Sequence, residues 1–338
     1  MDTEAKDVFS EVEKVISPVY MVGGSVRDTI LGESPYDYDF TTPLSPMAME
    51  ERIRAAGKRV YNIGNRFGTL GMKVQGTLVE ITTFRTETYE SGSRKPTVEY
   101  VSSLEEDLKR RDFTINSLAM NSSGEIFDYF GGRKDLEDKL IRCVGKPKDR
   151  FKEDPLRMLR AARFASKLGF EIDDSILEAA TDMNHKILEV SKERWMMELD
   201  KLLLTDSPRA GLEFMFVTGL MNFMLPEISL QFLYGQGSPY HGHELHEHTI
   251  RVVENTIPDV TMRWAALLHD VAKPFVRQHK DNPPRSVYYK HELLGAEFVE
   301  KMGRYLKWPN ARIDIVAELV AEHMKEDSLL YEADSKAK

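Results

Sequence analysis

The chain is nearly without cysteine, and that excludes more than any residue it has in plenty. One cysteine, Cys143, in 338 residues rules out an intrachain disulfide and a cysteine-rich zinc module. It fits a reducing compartment, so a cytoplasmic protein is expected. No apolar run reaches the ~18–20 residues needed to span a bilayer, so no membrane partner is expected. The opening MDTEAKDVFS is polar and acidic, without the apolar stretch of a secretory leader. There is no internal repeat and no low-complexity linker. Histidine is almost missing from the first 240 residues: eight of the nine lie beyond them. Charged residues at 30% and hydrophobic ones at 41% describe an ordinary globular chain, long enough for two or three domains.

An excess of positive charge is also lacking: the formal net charge is −9. The local balance differs. Residues 133–167 hold twelve Lys/Arg against six Asp/Glu, and Lys109, Arg110 and Arg111 form a second basic cluster. Such patches can grip a phosphate backbone with salt-sensitive affinity, or can be solvated helix faces.

The first ~130 residues alternate strand-like stretches (VYMVGG, DYDFTT, GTLGMKV, TLVEITTF, EIFDYF) with helical ones, such as Met47–Ala56 ending at Gly57. From Asp135 onward the pattern is almost wholly helical, punctuated by Gly169, Pro208, Pro226, Pro274 and Pro284. Gly235–His248 is polar and marks a boundary. The last ~10 residues are expected to fray.

Within GGSVRDTILGESPYDYDFTT (residues 23–42), Asp37 and Asp39 stand two apart in a short aromatic run. In a strand both side chains leave one face. Two carboxylates on a rigid face suit Mg²⁺, which prefers oxygen ligands and commonly carries substrate phosphates. Gly23, Gly24, Ser25 and Arg27 precede them at the expected start of a helix, where amides and a guanidinium suit a triphosphate. Glu80 lies in a strand-like run and is either a third carboxylate or an exposed strand residue. In LEEDLKRRDFTINSLAM (104–120), Arg110 and Arg111 suit phosphate oxygens. Asp112 and Asn116, four apart on a helix face, suit a ribose hydroxyl; the alternative is an Asp cap beside a surface Asn.

In EDPLR, Asp154 and Arg157 stand three apart. Carboxylate accepts and guanidinium donates, and cytosine and adenine each present an amino donor beside a ring-nitrogen acceptor. Uracil and guanine present the reverse, so one Asp–Arg pair could select C and A without a template. Asp before Pro is equally the signature of a helix cap.

These motifs, with EITTFR (80–85) and RFKEDPLRMLRAARFASKLGF, resemble the class II tRNA nucleotidyltransferases, the CCA-adding enzymes and their bacterial poly(A) polymerase relatives. The resemblance covers roughly residues 20–225. It implies an α+β chain: a polymerase-β-type nucleotidyltransferase head of mixed sheet and helices, then an all-α neck, body and HD-type helical domain. The expected bounds are 1–140, 141–232 and 233–338. It implies Asp37 and Asp39 as catalytic Mg²⁺ ligands. It implies Gly24, Ser25, Arg27, Arg111, Asp112, Asn116, Asp154, Arg157 and Arg160 as nucleotide-binding residues, with CTP, ATP and the tRNA 3′ end as partners. The reaction implied is untemplated addition of C and A. An A-adding or poly(A) enzyme, an HD phosphohydrolase with a nucleotide-sensing head, and a non-catalytic RNA-binding protein are the alternatives. FRTETYESGSRKPTVEYV (84–101) looks like the flexible loop associated with A addition.

The late histidines complete the picture. His269–Asp270 ends an apolar helix, with His248 twenty-one residues earlier, His291 twenty-two later, and His323 beyond. This resembles an HD domain, H…HD…D, and implies His248, His269 and Asp270 as ligands of a second divalent metal (Ni²⁺, Mn²⁺ or Mg²⁺). The final Asp has no clear match; Asp314 and Asp327 are the nearest choices and neither is well placed. A retained helical module without metal is the alternative.

Overall fold

Alternating burial builds the first sheet. In Thr77–Thr83, Val79, Ile81 and Thr83 are buried while Leu78, Glu80 and Thr82 face the other way, the period-two pattern of a half-buried strand. The computed structural model describes residues 3–64, 67–88, 97–237 and 243–337. It divides into two units, Met1–Glu153 and Asp154–Lys338. Residues 89–96 of the stretch expected to form the A-addition loop, and 238–242 of the polar boundary stretch, lie outside the described residues.

In the first unit nine strands are used here: β1 (Tyr20–Val22), β2 (Asp39–Thr42), β3 (Tyr61–Gly64), β4 (Thr69–Val74), β5 (Thr77–Thr83), β6 (Arg85–Thr88), β7 (Thr97–Tyr100), β8 (Leu118–Met120) and β9 (Ile126–Asp128). Seven form a sheet in the order β3-β4-β5-β2-β1-β8-β9, and β6–β7 is a separate ribbon. β2 and β5 run parallel, with Asp39 opposite Glu80 and Phe40 opposite Ile81. The sheet's other pairings are antiparallel, so the sheet is mixed. Helices α1 (Thr3–Val15), α2 (Gly24–Ile30), α3 (Pro46–Ala55) and α4 (Leu104–Lys109) belong to this unit. α3 starts on Ser45, whose side chain accepts from the Ala48 amide, with Pro46 in the first turn, a combination that satisfies one amide and needs none from proline.

Two local expectations are corrected. The strand holding the paired aspartates begins at Asp39, and Asp37 sits in the bend before it. Asp112 and Asn116 do not share an α-helix: α4 stops at Lys109, a 3₁₀ turn covers Thr114–Asn116, and β8 follows. Burial of Phe113 and Ile115 on opposite sides of Thr114 is incompatible with one continuous amphipathic face.

The second unit is mainly helical and includes α5 (Leu156–Leu168), α6 (Lys192–Leu203), α7 (Arg209–Val217), α8 (Leu245–Asn255), α9 (Val260–Leu268), α10 (His291–Tyr305), α11 (Asn310–Glu322) and α12 (Tyr331–Lys336). α5 buries Met158, Leu159, Ala161, Ala162 and Ala165. Gly211 lets α7 approach it, since a Cβ there would lie 2.5 Å from the Ala162 carbonyl oxygen. The helical expectation is corrected at Gln278–Asp281 and Pro284–Val287, which form an antiparallel hairpin. The expected fraying of the tail is corrected too: α12 is formed, with Ala333 and Asp334 buried.

Candidate functional site

The first site is assembled on the sheet. Tyr38 and Phe40 point into the core, 3% and 1% exposed, which turns Asp37 and Asp39 to the opposite side. Ser25 in α2 fixes this arrangement. Its hydroxyl donates to the Asp37 carbonyl (2.9 Å) and accepts from the Asp39 amide (3.1 Å). Parallel pairing sets Glu80 beside Asp39. Burial pushes the Asp39 carboxyl up, with Arg111 opposing and Asp37 adding to the rise. Burial likewise raises Glu80, helped by the charges of Asp39 and Asp37. Carboxylates that resist ionisation because of one another are relieved by a hard divalent cation, and oxygen donors of this kind fit Mg²⁺.

Arg111 supplies the opposite charge. It is near enough to Gly23 that a Cβ there would meet its Nη1 at 3.1 Å, and Gly23 has φ of 70°. That backbone conformation favours glycine, and a Cβ would press on the guanidinium. Arg111 Nη2 donates to Asp107 at 3.4 Å, while its Nε is buried without a hydrogen-bond partner. Arg27 is 3% exposed and donates to Asn116 Oδ1 at 2.7 Å and to Asp28 Oδ1 at 2.7 Å. Asn116 in turn donates to Asp112 Oδ1 at 3.2 Å. Arg27, Asn116 and Asp112 therefore form one buried chain of hydrogen bonds.

Asp107, which sequence reasoning passed over, anchors this side. It is wholly buried and accepts from Arg110 (2.9 Å), the Arg85 amide (3.2 Å) and Thr41 (3.3 Å). Burial disfavours its charge, but Arg110 and Arg111 outweigh that and hold its carboxyl below the usual range. Arg110 and Arg85 also share Glu87 at 2.8 Å each. The base of the β6–β7 ribbon is thus tied to Arg111. Only the acid run EED before RR hinted at this.

In the second unit Asp154 caps α5, accepting from the Leu156 amide at 3.1 Å. Arg194 grips the same carboxylate at 2.6 and 3.3 Å, a partner that the EDPLR motif did not reveal. Arg157 is 7% exposed on α5. Arg160 lies 3.6 Å from Glu198, which also pairs with Arg163 at 2.5 Å.

A second site lies among the late helices. His248 on α8, His269 and Asp270 at the end of α9, and Asp334 on α12 converge, all buried. His248 Nε2 is 3.0 Å from Asp334 Oδ1 and 3.4 Å from Asp270 Oδ2; His269 Nε2 is 3.1 Å from Asp270 Oδ2 and 3.3 Å from His248 Nε2. Asp334 is the acid missing from the sequence pattern, and Asp314 and Asp327 are not in the cluster. A ligand brought in by a separate short helix leaves no fixed spacing to search for. Burial disfavours a charged His248, but Asp270 and Asp334 outweigh it and hold its pKa up at about 9. Burial lowers His269. Burial would raise Asp270, but His269 and Lys273 outweigh it and hold its carboxyl well below the usual range. Neither Asp270 oxygen receives a well-formed hydrogen bond. The donor atoms of His248, His269 and Asp334 lie within 4.8 Å of one another, with Asp270 Oδ2 beside both imidazoles, a donor set that matches a divalent metal.

Three segments of the chain match families of known proteins. Residues 19–142 match the poly A polymerase head domain, residues 169–231 the probable RNA- and SrmB-binding site of polymerase A, and residues 245–336 the HD domain. The CCA-adding enzyme of Limosilactobacillus reuteri is 43% identical over 220 residues, 65% of this chain and 54% of that protein. That of Bacillus velezensis is 38% identical over 269 residues, 78% of this chain and 63% of that protein. The chain thus spans about half the length of the first of these relatives. The Bacillus stearothermophilus CCA-adding enzyme in complex with CTP superposes with TM-score 0.70 at 27% identity, covering 100% of this chain and 77% of that one. A tRNA nucleotidyltransferase complexed with a primer tRNA and an incoming ATP analog gives TM-score 0.59 at 26% identity, covering 96% and 86%.

Proposed function

We infer that this chain, which carries a poly A polymerase head, an RNA-binding segment of the polymerase A type and an HD domain, and is similar to CCA-adding enzymes, adds C and A to the 3′ end of tRNA. The observation that carries this reading is the placement of Asp39 beside Glu80 on paired strands, with Asp37 latched by Ser25 and Arg111 opposing their charge. The tRNA 3′-hydroxyl attacks the α-phosphorus of CTP or ATP in line; a new P–O bond forms as pyrophosphate leaves. Asp37, Asp39 and Glu80 would hold Mg²⁺. When bound, the ions lower the cost of deprotonating the hydroxyl and neutralise charge on the leaving group.

Arg111 offers its buried, unpartnered Nε to the triphosphate. Arg27 acts through Asn116, setting that amide and Asp112 for the ribose. Asp154, Arg157 and Arg160 select the base, Asp154 by accepting from the exocyclic amine of C or A when its carboxylate exchanges Arg194 for the nucleotide. Among the described residues no helix is long and apolar enough to cross a membrane. With a single buried thiol and tRNA as substrate, the cytoplasm is the compartment proposed.

The decisive assay offers tRNA lacking CCA, lacking CA or lacking A, with each nucleoside triphosphate separately. Addition of C, C and A in turn supports the reading. Addition of A alone to tRNA ending in CC points to an A-adding enzyme, and continued A addition to a poly(A) polymerase.

Asp334 supports a second activity. It shares a candidate metal-ligand group with His248 and His269, beside Asp270, and a bound divalent ion there would activate water against a phosphate ester. Hydrolysis of a phosphomonoester or a 2′,3′-cyclic phosphate with Ni²⁺, Mn²⁺ or Mg²⁺, lost in His269→Ala while nucleotide addition persists, is the expected result. No hydrolysis with any of them assigns the HD domain a structural role.

A further inference from the structure

One cationic surface lies outside both sites. Residues 277–290, between α9 and α10, hold four Lys/Arg against one Asp, in a chain whose net charge is −9. They include the antiparallel hairpin of Gln278–Asp281 and Pro284–Val287, in which Lys280 stands directly opposite Arg285. One face of this ribbon is anchored. Ser286 is 5% exposed; its amide donates to the Gly237 carbonyl at 2.7 Å, and its hydroxyl accepts from Arg277 Nε at 2.9 Å. Tyr288 donates its hydroxyl to the Gln236 carbonyl. Side chains alternate along a strand, so Lys280 and Arg285 leave from the other face. All four residues of the first strand are exposed.

That placement is costly to the ribbon by itself. Like charges directly opposite on neighbouring strands repel, and a two-stranded ribbon has little stability to spare. Asp281, the segment's one acid, lies 3.6 Å from His279 Nε2, and among the described residues no carboxylate pairs with Lys280 or Arg285. Arg285 Nε is buried without a hydrogen-bond partner. Lys280 Nζ donates to the Tyr289 hydroxyl at 2.5 Å and stands 5.1 Å from the centre of its ring. Tyr289 is 54% exposed. An edge guarded against aggregation needs only a single charge; two facing cations beside an exposed ring call for an anion that carries a flat group. A nucleotide chain has both, phosphates for the cations and a base for the ring, whereas an acidic peptide would use the charge alone. We propose that this hairpin is an RNA contact, in which Lys280 and Arg285 clasp neighbouring backbone phosphates and Tyr289 stacks on an unpaired base beside them. The proposal rests on the reading of tRNA as substrate, and adds to it a contact that involves none of the late histidines.

The test titrates the full chain into labelled tRNA lacking CCA over a range of salt. Lys280→Ala combined with Arg285→Ala should weaken binding roughly tenfold near physiological salt, and flatten the slope of log affinity against log salt by about 1.5, as two phosphate contacts are lost. KM for tRNA should rise while KM for CTP holds. Tyr289→Phe should bind as the wild type does, and Tyr289→Ala at least roughly fivefold more weakly. Lys280→Glu separates binding from folding: it sets opposite charges across the ribbon, so the melting temperature should hold or rise while tRNA affinity falls. A melt that falls in step with affinity makes the hairpin a structural element and overturns the proposal. Unchanged affinity and slope in the double variant, with C and A still added by the wild type, also overturn it and leave nucleotidyl transfer standing. Affinity lost in the double variant, with no addition by the wild type, keeps the RNA contact and removes the transfer reading. Labelled poly-L-glutamate bound as tightly as tRNA, and lost in the same variant, assigns the face to an acidic protein and overturns the RNA contact.

Discussion

The head and the HD domain both gather acidic groups at a point, yet the two clusters would suit opposite kinds of metal binding. In the head the donors are carboxylates on a half-open sheet face. Asp37 is exposed and Asp39 only partly covered, and burial, with the neighbouring carboxylates adding to it, raises the proton affinity of Asp39 and Glu80. Such a site holds a hard ion weakly until a triphosphate adds its own oxygens. In the HD domain four imidazoles and two carboxylates are buried together, each tied to a helix end or a separate helix. Burial excludes the water that would compete, so an ion bound there would be resident and would stabilise the fold. On the proposed reading, one site would meet its metal with the substrate and the other would keep it between turnovers.

The strongest test of that contrast removes a head ligand. Asp39→Ala should lower nucleotide addition by at least roughly 10³-fold, as loss of a principal electrostatic group does, with the melting temperature and the metal content of the purified protein unchanged. Near wild-type addition by folded Asp39→Ala at saturating Mg²⁺ would end the assignment. Chelation probes the other site. An ion held ~1,000-fold above its dissociation constant stabilises by about 4 kcal/mol, so stripping should lower the melting temperature by roughly 8–16 °C. Calorimetry with and without chelator reads this directly; an unchanged melt means no resident ion.

Base selection is a smaller effect and separates two roles of one residue. Asp154→Ala should cost ~1–3 kcal/mol of discrimination against UTP and GTP and also ~0.5–2 kcal/mol of stability, because the Leu156 amide loses its cap. Specificity constants for all four nucleotides, set beside the melt, divide the two. Equal discrimination ratios in both proteins leave Asp154 as a cap alone.

The smallest effect concerns the sign of a pH dependence. Because the folded-state pKa values of Asp39 and Glu80 are raised, the folded head holds these protons more tightly than the unfolded chain. Stability contributed by their protonated forms is therefore lost as pH rises from the ordinary carboxylate pKa through the raised one. Asp39→Asn, a mimic of the protonated acid, should raise the melting temperature slightly at neutral pH without Mg²⁺ while abolishing addition. A lower melt would show that the charged carboxylate stabilises the head. By the same shift, the acid limb of the addition rate should lie above the pH of an unperturbed carboxylate.

Much of the head was legible because its signals are local. Strand alternation in TLVEITT and DFTT, the Asp37–Asp39 spacing and the helix around Met47–Ala56 ending at Gly57 each depend on residues a few positions apart. The HD dipeptide was legible for the same reason. What escaped was every contact that spans the chain. Glu80 became a partner of Asp39 only through parallel pairing of β2 with β5. Arg27 met Asn116 across 89 residues, and Arg194 met Asp154 across 40.

Asp334 shows the limit most plainly: its segment reads as a polar tail, and only the docking of α12 places it 3.0 Å from His248. By itself the sequence determined which residue chemistries were available, carboxylate pairs, guanidinium clusters and late histidines, along with the period of the elements bearing them. Tertiary structure alone decided which of those groups converge. Periodicity is a property of neighbouring residues, whereas a ligand shell is closed by side chains whose separation along the chain has no preferred value.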